Sequence, residues 1–226
     1  MPVLSVVVPV HNEAGFLAYA LPALIDAVRS VSADGEILVM ENGSTDGTAA
    51  LATELGGTAV RVIQLPRPDY GEAMKTGFEL ASGEWVVNVD IDYFSADFFR
   101  AVLDSDADIV IGSKRDPGSD DRRPLVRRLA TAVFNLILRA MFASRVSDTH
   151  GMKGFRRPVI ETYVPITVSR TDLFDTELVL RAERGGCRIE EVPVVVEELR
   201  EARSSLFRRV PRTLRGLWRI RRLLSS

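Results

Sequence analysis

The run LSVVVPV at Leu4–Val10 constrains the fold more than any other feature of this chain. It is almost continuously apolar and β-branched, where a strand with one wet face would alternate with polar residues. Such a strand has to be covered on both sides. Comparable runs follow at residues 36–40, 60–65, 85–89 and 108–112. Between them the spacing predicts helices over residues 14–31, 48–55, 71–81 and 98–103, with Pro22 starting a fresh turn or kinking the first. Strands alternating with helices predict an α/β fold: a mostly parallel, Rossmann-like sheet with helices on both faces. Ligands of open sheets lie beyond the carboxyl ends of the strands. His11, Asn12 and Glu13, the pair Glu41 and Asn42, and the pair Asp90 and Asp92 all fall there.

The second half is less regular. Residues 117–124 read as a polar loop, 125–142 as a helix with basic flanks, and 147–157 as a loop entering a strand. A helix over 171–184 and a strand over 188–197 complete the domain. In the turn-rich ENGSTDGT stretch, Ser44, Thr45 and Asp46 can cap the helix that follows. Without an internal repeat or a low-complexity linker, residues 1–202 read as one domain and residues 203–226 as a tail.

The formal net charge of −2 hides an asymmetry. The tail carries eight arginines and no acid, while the first 202 residues hold 21 basic groups against 31 acids. That division suggests a tail suited to an anionic surface. The single cysteine, Cys187, fits a reducing compartment. The opening residues carry no basic leader, so no signal peptide is expected. No apolar run reaches the roughly 18–20 residues needed to span a bilayer. The nearest, residues 129–143, is interrupted by Asn135 and Arg139.

Asp90 and Asp92 stand one residue apart where the apolar run 85–89 ends. Two carboxylates so placed repel each other and resist burial unless a cation stands between them. Mg²⁺ or Mn²⁺ prefers hard oxygen ligands and bridges to substrate phosphates. Such an ion would stabilise the diphosphate of an activated donor as a leaving group. The alternative is a solvated turn.

The motifs VVVPVHNEAG, ILVMENGSTDGT, YGEAMKTGFELASGEWVVNVDID, DIVIGSKR, DTHGMKGFRR and FDTELVLRAERGGCRIEEVPV occur in one order over about residues 3–198. In that order and spacing the chain resembles family 2 glycosyltransferases, nearest the dolichyl- and polyprenyl-phosphate sugar synthases. The resemblance implies a GT-A fold, a nucleotide-sugar donor such as a GDP- or UDP-hexose (mannose or glucose), a metal at Asp90 and Asp92, and inversion at the anomeric carbon. It places Pro9, His11 and Glu13 around the nucleoside, Glu41 with Asn42 at the base or ribose, and Asp90 and Asp92 at the metal and diphosphate. It places Asp175 and Glu177 on the acceptor side of the reaction centre, as catalytic residues with Asp92. Glu13, Glu41 and the pair Asp175 and Glu177 also read as ordinary turn or first-turn acids. His11 reads as a stacking contact.

The chain departs from the family in places. Glu41-Asn42 stands where two aspartates are usual, and Phe94 where a polar residue often follows the acidic pair. Leu199 and Ser204-Ser205 stand where the lipid-phosphate synthases carry an arginine and a Ser-Lys pair, with Arg200 and Arg203 nearby.

Two features speak to the acceptor. Over residues 206–224, Leu206, Val210, Leu214, Leu217, Trp218, Ile220 and Leu224 alternate with arginines at near-helical spacing, which suits an anionic membrane interface. Arg122, Arg123, Arg127 and Arg128 precede the unusually apolar helix 125–142. The alternative is a core helix and a tail that docks on the acidic body, and the apolar face argues against nucleic acid. A polyprenyl monophosphate is largely anionic near neutral pH, with a second pKa of about 6. It needs positioning more than a strong base. Lys114, Arg115, Arg128, Lys153 and Arg200 are candidate phosphate holders, or plain surface charge, and Asp175 would orient the nucleophile. The expectation is a metal-dependent hexosyltransferase acting on a polyprenyl phosphate at the cytoplasmic membrane face, with room for an integral membrane partner. The rivals are a soluble or protein acceptor, or a catalytically weak nucleotide-sugar-binding subunit.

Overall fold

The computed structural model describes residues 2–149, 151–196 and 206–225, the last segment with side chains from 210 to 224. The expectations on Arg200, Arg203, Leu199, Ser204 and Ser205 lie outside the described residues. The elements run β1 (Leu4–Val10), α1 (Ala14–Arg29), β2 (Glu36–Asn42), α2 (Thr48–Gly56), β3 (Val60–Leu65), α3 (Tyr70–Leu80), β4 (Trp85–Asn88), α4 (Ala96–Asp104) and β5 (Ile109–Ser113). There follow β6 (Asp120–Asp121), α5 (Leu125–Phe142), β7 (Lys153–Arg156), α6 (Arg157–Tyr163), α7 (Phe174–Arg184), β8 (Ile189–Pro193), β9 (Val195–Val196) and α8 (Leu206–Ser225).

Seven strands form one sheet in the order β3-β2-β1-β4-β7-β5-β8. Every pairing in it is parallel except those of β7, which is antiparallel to both β4 and β5. The alternation within β1 assigns its two faces. Val6 and Val8 join Leu17, Leu21 and Leu24 of α1 on one side, and Val7 joins Leu38, Met40 and Phe78 on the other. The doubly covered strand expected from the sequence is therefore present. The chain steps outward from β1 to β2 and β3, then returns to place β4 on β1's other flank. The gap between the carboxyl ends of β1 and β4 is the point where such sheets bind ligands.

Four local expectations need correction. Pro22 does not start a fresh turn: one helix runs through it, with Leu17, Leu21, Leu24 and Val28 fully buried on either side. Burial of that apolar stripe outweighs the hydrogen bond that proline cannot donate. The polar loop 117–124 contains the short strand β6, which pairs in parallel with β9, so the strand expected over 188–197 divides at Val194 between two sheets. Helix α6, with Pro158 in its first turn, follows β7 directly and was not anticipated. Helix α7 begins at Phe174 and not at Thr171, with Asp175 and Glu177 in its first turn as expected.

A third apolar cluster joins α5 (Leu138, Phe142), α7 (Leu180), Leu173 and α8 (Leu217, Ile220). The C-terminal helix thus seats one face on the body. Arg212 pairs with Asp172 at 3.1 Å, and Arg184 donates to the Leu224 carbonyl at 2.6 Å. Among the described residues no helix is long and apolar enough to cross a membrane.

Candidate active site

The loops after β1 and β2 are stitched into one wall. Asn12 adopts φ 54° and receives Thr45 N–H on its Oδ1 at 2.9 Å, while its own N–H donates to Ser44 Oγ at 2.9 Å. Glu13 N–H donates to Thr48 Oγ1 at 2.8 Å. Asp46 accepts from Thr48 N–H and from Ala14 N–H, each at 3.1 Å, so it ties together the starts of α2 and α1. Ser44 and Thr45 brace the HNE loop instead of capping α2. Pro9 lies beside Met40 in the β1–β2 ladder, two positions before His11. His11 Nδ1 lies 2.8 Å from the Asn42 carbonyl, which makes Nδ1 the protonated nitrogen and leaves Nε2 to accept from Asn12 Nδ2 at 3.1 Å. Buried Glu41 receives Ser44 N–H at 2.6 Å, and Asn42 Oδ1 receives Asp69 N–H at 2.7 Å. The structure therefore brings Pro9, His11, Glu13, Glu41 and Asn42 to one wall.

Asp90 and Asp92 follow β4 on a tight turn closed by Tyr93 N–H donating to the Asp90 carbonyl at 2.9 Å. Surrounding protein, then the Asp92 charge, push the Asp90 carboxyl above the usual range, with Lys153 pulling the other way. The residue itself is nonetheless exposed to solvent. A carboxyl raised in this way is one that a cation would return to its ionised form. Among the described residues no three His, Cys, Asp or Glu side chains gather to hold a metal. Two carboxylates with the remaining positions left to phosphate oxygens and water is the usual arrangement for Mg²⁺ or Mn²⁺. The donor set fits such an ion shared with a diphosphate.

Beside this turn, three donors converge on one oxygen of Asp175. Tyr70 OH lies 3.0 Å from Oδ2, Lys153 Nζ 3.2 Å and Asn88 Nδ2 3.3 Å. Burial, then the Asp175 charge, raise the Tyr70 phenol well above its ordinary value, so it stays a neutral donor. Lys153 is wholly buried and also donates to the Gly151 carbonyl at 2.7 Å. The sequence offered it as a phosphate holder; its place between β4 and β5 makes it a partner of Asp175 instead.

Lys114 sits opposite, 3.5 Å from Asp148 and 5.5 Å from the centre of the Tyr93 ring. Burial lowers its pKa, opposed by Asp148. Gly151 has φ 103°, a backbone conformation that favours glycine, and it lies against Lys114 Nζ. Arg115 is exposed, and Arg128 reaches to 4.0 Å from Asp121.

Glu177 is not part of this cluster. Its fully buried carboxylate accepts from Val168 N–H at 3.2 Å, Ser169 N–H at 2.8 Å and Arg181 Nε at 2.8 Å. It fixes the 168–170 loop, whose Arg170 carbonyl receives Gly71 N–H at 3.2 Å above α3. Tyr70, Asn88, Tyr93 and Asp148 escaped the sequence reading. Asn88 alone carried a signal, as the polar residue within WVVN.

Residues 5–164 match the family described as Glycosyl transferase family 2. Glycosyltransferase AglD of Haloferax volcanii is 27% identical over 96% of this chain and 37% of its own length. The low-salt glycan biosynthesis hexosyltransferase Agl6 of the same organism is 30% identical over 91% of this chain, which spans half of that protein. An uncharacterized glycosyltransferase of Mycobacterium tuberculosis is 33% identical over 84% of this chain and 83% of its own. Glucosyl-3-phosphoglycerate synthase from M. tuberculosis, crystallised with Mn²⁺, UDP and glucosyl-3-phosphoglycerate, superposes with a TM-score of 0.71 at 23% identity, over 99% of this chain and 79% of that one. That likeness carries the fold. Family match, fold and the acidic corner at the β1–β4 reversal agree: the chain belongs to glycosyl transferase family 2.

Proposed function

We propose that this chain moves a hexose from a nucleoside-diphosphate sugar to a polyprenyl phosphate at the cytoplasmic face of a membrane. The Asp90–Asp92 corner at the β1–β4 reversal carries the donor half of the reading. The Mn²⁺ and UDP crystallised with the mycobacterial synthase support it. A divalent ion bound there supplies charge to the departing diphosphate. The wall of Pro9, His11, Glu13, Glu41 and Asn42 orients the nucleoside. A phosphate oxygen of the acceptor attacks the anomeric carbon as the bond to the diphosphate breaks, which inverts the centre. Asp175 orients that nucleophile, and Lys114 offsets its charge, with Arg115 and Arg128 on the approach.

The surface of α5 supports the lipid half. Leu125, Val126, Leu129, Val133 and Leu136 form one exposed stripe, opposite buried Asn135, Leu138 and Phe142. Arg122, Arg128 and Arg139 are exposed beside it. On α8, Val210, Leu214 and Trp218 remain exposed among arginines. Apolar stripes edged with arginine suit an anionic lipid interface.

A soluble phosphorylated acceptor is the second reading, favoured by the burial of Leu217 and Ile220 in the body, which commits one face of α8. Incubation with radiolabelled UDP- or GDP-hexose, Mn²⁺ and a short polyprenyl phosphate, followed by organic extraction, separates the two. Label in the organic phase is the expected result; label confined to water favours the soluble acceptor.

A further inference from the structure

We infer that Lys153 is a positioning residue: its buried ammonium holds the Asp175 carboxylate and the Gly151 carbonyl in one arrangement and so aims Asp175 at the acceptor. The inference rests on the function proposed above for its kinetic consequence, though not for the contact itself.

The side chain has no access to water. A buried ammonium is costly unless paired, and this one has two acceptors, the Gly151 carbonyl at 2.7 Å and Asp175 Oδ2 at 3.2 Å. Its origin is fixed by the sheet. Lys153 stands opposite Asn88 across the β4–β7 ladder and opposite Ile111 across the β5–β7 ladder, inside the sheet with strands on both sides. Side chains directly opposite in an antiparallel pair share one face, so Asn88 and Lys153 reach Asp175 together.

Tyr70 OH, from α3, completes the set. Of these three donors only Lys153 carries charge. Without it, the mostly buried Asp175 anion keeps two neutral donors and faces Asp90 with less compensation. The other charges acting around the cluster are the acids Asp90, Asp92 and Asp148 and the cations Lys114 and Arg123. Lys153 also reaches the loop that seats Lys114, since Gly151 lies against Lys114 Nζ. One ammonium thus links the α7 carboxylate to the loop after α5. Its task is to fix where Asp175 points, without touching the donor nucleotide.

The test has two arms. In Lys153→Met, nucleoside diphosphate release from the donor sugar should fall about 100-fold in kcat, with KM for the donor within about threefold of wild type. Methylammonium should restore part of kcat in Lys153→Ala, which a merely structural role would not allow. Unchanged kcat in Lys153→Met, or a loss expressed wholly in donor KM, overturns the inference. In the second arm, protein labelled with ¹⁵N-lysine should show one Nζ ammonium signal protected from solvent exchange. That signal should be assigned by its absence in Lys153→Met and should shift or broaden in Asp175→Asn. A signal unmoved by Asp175→Asn overturns the inference too. Wild-type protein that releases no diphosphate from any nucleotide sugar would defeat the proposed function, and the second arm would still decide the pairing.

Discussion

Asn88 and Lys153 stand opposite each other across the β4–β7 ladder, and both donate to the same oxygen of Asp175. An antiparallel strand inserted into an otherwise parallel sheet creates that relationship. Inserting β7 beside β4 lets a lysine from the second half of the chain meet an asparagine two residues before Asp90. The acidic turn and the α7 carboxylate therefore share a floor.

Tyr70 contributes the third donor, from the first residue of α3. Replacing it by phenylalanine keeps the ring and removes one hydrogen bond, worth about 0.5–1.5 kcal/mol, or more to a charged acceptor. Tyr70→Phe should lower kcat roughly tenfold with little change in melting temperature. Steady-state kinetics beside a thermal melt would check it.

Arg123 grips Asp121 with two bonds, Nε to Oδ1 and NH2 to Oδ2, each 2.8 Å. The hydrogen bonds and charge of Arg123 hold the Asp121 carboxyl below its usual range. A depressed folded pKa means stability that is present above the unfolded value of about 3.9 and lost as pH falls through the folded value. Arg123→Met should therefore cost about 1–3 kcal/mol at pH 7. Denaturant titrations should show the gap from wild type narrowing below about pH 4. A gap independent of pH would contradict the assignment.

Leu217 and Trp218 are neighbours on α8 with opposite surroundings, the first fully buried and the second largely exposed. Leu217→Ala should destabilise by about 2–5 kcal/mol through the cavity it leaves. Trp218→Ser should change stability by no more than about 0.5 kcal/mol. It should instead weaken sedimentation with anionic vesicles several-fold, the more so at high salt. Equal vesicle binding by the wild type and Trp218→Ser would remove α8 from the membrane account.

Much of this architecture was legible in the sequence because its signals are local. The β-branched run of β1 announced a doubly covered strand, and Asp90 and Asp92 announced a charge problem at the end of another. The surroundings of Lys153 and Glu177 were hidden for one reason. Their roles depend on which elements become neighbours, and sequence spacing does not encode that. Lys153 reads in the sequence as a phosphate holder or plain surface charge, but β7 lies between β4 and β5 and buries it. Glu177 shared a helix turn with Asp175, yet its carboxylate turned toward the backbone of Val168 and Ser169. Asn88 could have been singled out, since a buried amide in an apolar strand needs a partner. Tyr70 and Asp148 offered no such contrast with their polar surroundings.

The central claim is that Asp90 and Asp92 hold a divalent cation jointly with a nucleoside diphosphate. Mn²⁺ titration followed by electron paramagnetic resonance, with and without UDP or GDP, tests it most directly when wild type is set beside Asp92→Asn. Mn²⁺ affinity should rise on adding the diphosphate and fall at least about tenfold in Asp92→Asn, with the fold intact by circular dichroism. Identical Mn²⁺ binding by the two proteins, indifferent to the diphosphate, would contradict the account.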